Sequence, residues 1–209
     1  MHHKSLQPAD GLHEKVVAWI SIHDAPHVSE QASASRRSAF IYDGNTKDAR
    51  LMGVEYIISA RLYQTLPPEE KKLWHSHDYE VKSGTLIAPS LPQAANHALI
   101  ARIANTYGKT WHTDRDKTLP LRIPALMMGF TADGQLDNRL LADHDKRFDI
   151  DSRKIRASRA DIVTQPVLPG ANAWQRGEVI QLKRVSGGGE HAHGHTHFRP
   201  AEQLSKPQS

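Results

Sequence analysis

The segment Trp74-His75-Ser76-His77-Asp78-Tyr79-Glu80-Val81-Lys82-Ser83-Gly84 constrains this chain more than any other. Residues i and i+2 of a strand project to the same face, so a strand here sets His75 and His77 side by side. Tyr79 and Val81 continue that row, which makes it the inward one. Two imidazoles on an apolar face need hydrogen-bond partners, protons or a metal, because a bare buried polar group costs free energy. The pair marks where a site is expected. It does not say which reaction occurs there.

The flanking patterns predict the frame around that segment. Asp10 can cap a helix over 12–20, with Leu12, Val16, Trp19 and Ile20 at helical spacing. Small polar residues over 29–38 read as a loop or a weakly ordered helix, and Phe40-Ile41-Tyr42 as a strand. Asp43-Gly44-Asn45 is a turn signal that joins it to a strand over Leu51–Ser59, giving an antiparallel hairpin. Leu66-Pro67-Pro68-Glu69-Glu70 starts a short helix, and the histidine segment then runs as a strand through Ala88. A helix over 93–107 carries Leu99, Ile100, Ile103 and Tyr107 on one stripe and stops at Gly108. Lys109–Thr113 and Ala125–Phe130 are strand-like, and 139–159 is helical in part.

The expected architecture is α+β: a single domain with an antiparallel or mixed sheet of about five strands, on which the 12–20 and 93–107 helices pack. The expected division is a loose arm over 1–11, a domain over 12–184, and a disordered histidine-rich tail over 185–209 that opens on Ser186-Gly187-Gly188-Gly189.

Several function classes fall away. No run of apolar residues approaches the ~18 that would cross a bilayer, so any lipid contact is expected to be peripheral. The chain has no cysteine, which removes disulfides and thiolate ligands. A net charge of +4 invites a nucleic-acid reading, but acids alternate with the bases and aromatics are only 6%, so no nucleic acid is expected. Gly108-Lys109-Thr110 resembles the end of a phosphate loop, yet Ile103 stands where its first glycine is required; no nucleotide cofactor is expected.

Ile41-Tyr42-Asp43, Gly53-Val54-Glu55-Tyr56-Ile57-Ile58-Ser59, Leu66-Pro67-Pro68-Glu69-Glu70, Leu73-Trp74-His75-Ser76-His77 and Tyr79-Glu80-Val81-Lys82-Ser83-Gly84 follow one another in order. Tyr107-Gly108-Lys109-Thr110-Trp111-His112-Thr113, Leu119-Pro120-Leu121 and Pro124-Ala125-Leu126-Met127 continue the series. In these motifs the chain resembles the oil body-associated protein family over roughly residues 12–160. The resemblance implies a soluble, cytoplasmic protein, peripheral to lipid droplets or membranes, and carries over no catalytic residues. A homodimer is compatible with it. The family's histidine-rich stretch before the Ile-Tyr-Asp strand is reduced here to Pro26-His27-Val28-Ser29, leaving only His27. The loop after Trp111-His112-Thr113-Asp114 is also shortened.

The site expected from the residues is built on His75, His77 and His112, with His27 as a fourth imidazole. Three imidazoles plus a carboxylate or water suit zinc, iron or copper. Asp114 shares the parity of His112 and is the favoured carboxylate; Glu80 needs a bulge to reach the same face. The competing reading is a metal-dependent enzyme acting on a small molecule through this cluster; acid–base chemistry without a metal, one histidine acting near pH 7, is a further option. A third reading is metal binding without turnover. The bland reading leaves these rings hydrogen-bonded inside a polar core. Two other features carry weaker expectations. The tail Glu190-His191-Ala192-His193-Gly194-His195-Thr196-His197 would chelate divalent ions weakly. Residues 139–159 set seven basic side chains against four aspartates, which fits either anionic headgroups or a solvated helix face.

Overall fold

The computed structural model describes residues 19–24, 36–42, 47–87, 92–112, 123–178 and 180–182. Its framework is an antiparallel sheet. Strand β1 (Trp19–Asp24) pairs with β2 (Arg36–Tyr42), β2 with β3 (Leu51–Ser59), and β3 with β5 (Thr106–His112). Beyond β5 the sheet has a fifth column shared by two short strands. There β4 (His75–Ser76) meets Gly108 and Tyr107, and β6 (Ala125–Met127) meets Thr110, Trp111 and His112. β5 is thus paired along both edges and lies at the centre of the site.

The hairpin of β2 and β3 follows its alternating apolar residues, with Ala39 and Ile41 buried on one strand and Gly53, Glu55 and Ile57 on the other. Its turn, 43–46, lies outside the described residues. Six helices accompany the sheet among the described residues: α1 (Ala60–Gln64), α2 (Pro68–Lys71), α3 (Asp78–Ser83), α4 (Gln93–Ile103), α5 (Asn138–Phe148) and α6 (Ser152–Ser158). A short 3-10 turn spans Ala173–Arg176. Apolar packing forms two clusters. Ile58, Tyr63, Trp74, Tyr107 and Ala171 make the first, where the Tyr63 and Tyr107 rings stack 4.1 Å apart. Val81, Ile100, Ile103, Ala104 and Ile162 make the second, which joins α3 to α4.

Four sequence expectations need correction. Trp19 and Ile20 are strand, not helix: Ile20 and Ile22 also alternate with period two, and β2 supplies a six-pair antiparallel ladder. Residues 36–38 of the expected loop are the start of β2, where all three pair with β3 and Arg37 and Ser38 also pair with β1. The helix expected over 93–107 stops at Ile103, so that Tyr107 and Gly108 belong to β5 and not to a helix end. Most consequential, the histidine strand lasts two residues and turns into α3. Asp78 and Glu80 fill the first turn of that helix, Lys82 the last, and Gly84 ends it at φ 85°. These charges sit where the helix dipole favours them, and the glycine takes the left-handed position at no steric cost. Tyr79 and Val81 therefore do not continue the histidine face. The Tyr79 hydroxyl donates to Asp133 Oδ1 at 2.8 Å, whereas Val81 is fully buried.

Candidate functional site

β4 is short, but it is held on both sides. One edge pairs with β5, and the His77 amide donates to Thr106 O at 3.2 Å. On the other edge Asn172 acts as a polar clamp. Its Oδ1 accepts from the Ser76 amide at 2.9 Å, its Nδ2 donates to Ser76 Oγ at 3.0 Å, and its amide donates to Trp74 O at 3.0 Å. Asn172 takes a left-handed backbone (φ 55°), which asparagine tolerates better than most residues. Asn172→Ala removes two buried hydrogen bonds and keeps the unfavourable φ. It is expected to cost about 2–3 kcal/mol in urea unfolding, with Asn172→Gly recovering the backbone part. An unchanged midpoint for the alanine variant would show that the clamp does not hold β4.

The clamp and β5 together aim His75 and His77 at one acid, Glu55 of β3. His75 Nε2 lies 3.1 Å and His77 Nε2 3.3 Å from the same oxygen, Glu55 Oε1. Thr110 donates to that oxygen from its hydroxyl at 2.8 Å. The two imidazoles meet edge to face, with centroids 5.1 Å apart. Glu55, His75 and His77 are all buried, being 6%, 4% and 2% exposed.

Burial by itself would raise the Glu55 carboxyl. The hydrogen bonds and charges of the two histidines outweigh it and hold this group far below the usual carboxylate range. Burial lowers the basicity of His75, but Glu55, with help from the charge of Glu80, raises it overall. On the far side of His77, Nδ1 contacts Thr106 Oγ1 at 2.8 Å, and that hydroxyl donates to Ile103 O at 2.7 Å. His75 Nδ1 is buried and has no hydrogen-bond partner.

Glycine makes the convergence possible. Gly108 of β5 faces the three side chains; a Cβ there would lie 2.3 Å from Glu55 Oε1, 2.5 Å from His77 Nε2 and 2.7 Å from His75 Nε2. Gly129 lets the chain after β6 cross the His75 ring, since a Cβ at that position would lie 2.4 Å from His75 Cδ2.

The structure brings together two of the histidines expected from the sequence and adds an acid that sequence reasoning passed over. His112 stands on the same face of β5 as Gly108, but four residues further on, about 13 Å along the strand. It lies beside Gly53 and does not reach the cluster. Glu80 approaches His75 through the helix, not through a bulge; its Oε1 accepts from the Phe130 amide at 3.1 Å. His27, Asp114 and the histidine-rich tail lie outside the described residues. The signal for Glu55 was present in Gly53-Val54-Glu55-Tyr56-Ile57, a lone carboxylate sharing strand parity with an apolar residue.

A cavity of about 290 Å³ opens nearby, lined in part by Ser76, Asp78, Tyr79, Asn172, Gln175 and Arg176. None of Glu55, His75 and His77 lines it.

Comparison with known proteins bears on this arrangement. The family model described as "Protein of unknown function (DUF1264)" matches residues 10–163. Oil body-associated protein 1B of Arabidopsis thaliana is 37% identical over 195 residues, covering 87% of this chain and 80% of that protein. Oil body-associated protein 1A of Zea mays is 38% identical over 183 residues, covering 85% and 74%. Oil body-associated protein 2C of Arabidopsis thaliana is 41% identical over 142 residues, covering 65% and 60%. No solved structure matches the chain.

Proposed function

The chain belongs to the oil body-associated protein family, and from that premise we propose that it works at the surface of lipid bodies as a peripheral protein. The observation that carries the reading is the similarity to two plant relatives with that name over 85–87% of this chain. Among the described residues, no helix is long and apolar enough to cross a membrane, which leaves attachment from outside as the mode to test.

The basic segment over 139–159 offers a physical means. Asp137 and Asp151 cap α5 and α6, and Asp145 joins the two helices by accepting from the Ser152 amide at 3.0 Å and from its hydroxyl. Arg139, Lys146, Arg147, Arg153 and Lys154 are exposed on this joined pair. The other two bases serve the fold. Arg156 forms a forked pair with Asp133 at 2.8 and 3.1 Å, and Arg159 is buried. Each lysine or arginine near an anionic lipid surface contributes about 1 kcal/mol, so a handful suffices for reversible attachment. Val163, 76% exposed, adds an apolar contact close behind α6.

Flotation with triacylglycerol droplets coated in phosphatidylcholine, with or without phosphatidylserine, tests this. The protein is expected to float with the anionic droplets. A variant carrying R139E, K146E, R153E and K154E should bind at least about a hundredfold more weakly. Equal flotation of both proteins would remove the electrostatic mode. Failure of the unaltered protein to float with any droplet would remove the lipid-surface reading.

A further inference from the structure

We propose that Glu55, His75 and His77 hold one first-row divalent ion of the zinc or ferrous class, which pins β3, β4 and β5 together at the heart of the sheet. The inference stands apart from lipid attachment.

The first support is spacing. Ligand atoms about 2.0–2.2 Å from one ion, at angles of 90–110°, lie about 3.0–3.5 Å apart. The Nε2 atoms of His75 and His77 lie 3.1 and 3.3 Å from Glu55 Oε1, and all three atoms fall within 4.8 Å of one another. Among the described residues no other group of three histidines or carboxylates comes this close.

Second comes the proton inventory. The Thr106 hydroxyl has one proton and donates it to Ile103 O, so it accepts from His77 Nδ1. A neutral His77 then carries its proton on Nδ1 and turns the Nε2 lone pair toward Glu55 Oε1, 3.3 Å away. Two electron-rich atoms in that contact repel unless a metal ion, or a second proton on the ring, lies between them. A metal ion resolves the contact with both rings neutral, and Thr106 then acts as the outer partner that fixes the ring of a ligating histidine.

The donor set selects the class of ion. Two imidazole nitrogens and one carboxylate oxygen suit zinc or ferrous iron, whereas magnesium and calcium prefer all-oxygen sites. The position argues for holding the sheet together more than for turnover, because Glu55 comes from β3 and both histidines from β4 and its end, on either side of β5, and none of the three lines the neighbouring cavity.

The test uses the full chain with H191N, H193N, H195N and H197N, so that the tail adds no background. After chelation and dialysis the protein is reloaded separately with zinc, with anaerobic ferrous iron and with magnesium. Stoichiometry and thermal midpoint are then read. One zinc or iron per chain is expected, with the midpoint raised by roughly 8 °C or more at metal well above Kd, and no effect of magnesium. E55Q and H77Q, checked for fold by circular dichroism, should each bind zinc at least about tenfold more weakly. Should the reloaded parent hold less than about a tenth of an equivalent with no change in midpoint, the cluster is an imidazolium–carboxylate group and the proposal is wrong. Undiminished binding in both variants would place the ion elsewhere and overturn it equally.

Discussion

Gly108→Ala is expected to destabilise the protein by about 3–5 kcal/mol. The added carbon would arrive 2.3–2.7 Å from three polar atoms, where no carbon sits without forcing its neighbours apart. Glu55 is fixed by its own strand, and His75 and His77 are fixed by the clamp of Asn172 and by Thr106. The side chains cannot simply swing away, so either β4 separates from β5 or the buried carboxylate loses its partners. A buried carboxylate deprived of partners costs more than an ordinary lost hydrogen bond. Gly134→Ala serves as the control. Its Cβ would meet nothing within 4 Å although φ is +84°, so about 1–2 kcal/mol is expected from the backbone alone. Equal urea midpoints for the two variants would show that the cluster does not press on the Gly108 backbone.

Arg159→Ala is the second large effect, at about 3–4 kcal/mol. This side chain is 4% exposed, and its Nη1 donates to Val81 O at 2.6 Å and to Leu86 O at 2.8 Å. Burial lowers its pKa to about 10, yet the group stays charged at neutral pH. It thereby ties the segment after α6 to the last turn of α3 and the chain beyond it. Truncation removes this donor from one buried and one part-buried carbonyl and leaves a hollow next to Val81, which is itself fully buried. Arg159→Lys keeps the charge but not the fork of donors and should recover only part of the loss. Equilibrium unfolding measures both variants. A loss below about 1 kcal/mol for Arg159→Ala would mean that the two carbonyls find water instead.

The same residue shows how far the sequence could be read. Within 139–159 all seven bases look alike, and nothing local separates Arg159, which is inside, from Arg153, which is exposed. The β2–β3 hairpin and the later half of β5, from Lys109, were legible because alternation and turn residues agree over several positions. His75 and His77 were legible as a pair, although their strand was not, because Asp78, Glu80 and Gly84 are also helix signals and those signals prevail. Glu55 stayed hidden for another reason. One acid in a strand is ordinarily solvent-facing, and only the pairing of β3 with β5 and of β5 with β4 brings histidines beside it. Gly108 reads equally well as the end of a helix or as a strand residue with a neighbour too close for a side chain. Only the register decides. His112 had the right face and lay too far along the strand.

The double pairing of β5 has a consequence for how the molecule comes into being. Residues 51–77 carry every side chain of the cluster, but they cannot assemble it among themselves. The strand that lies between them is 106–112. Closing that loop sacrifices entropy before any contact rewards it. A chain emerging from the ribosome therefore leaves the acid and both rings in water until its second half arrives, and they are withdrawn together, in a late step, when that strand docks.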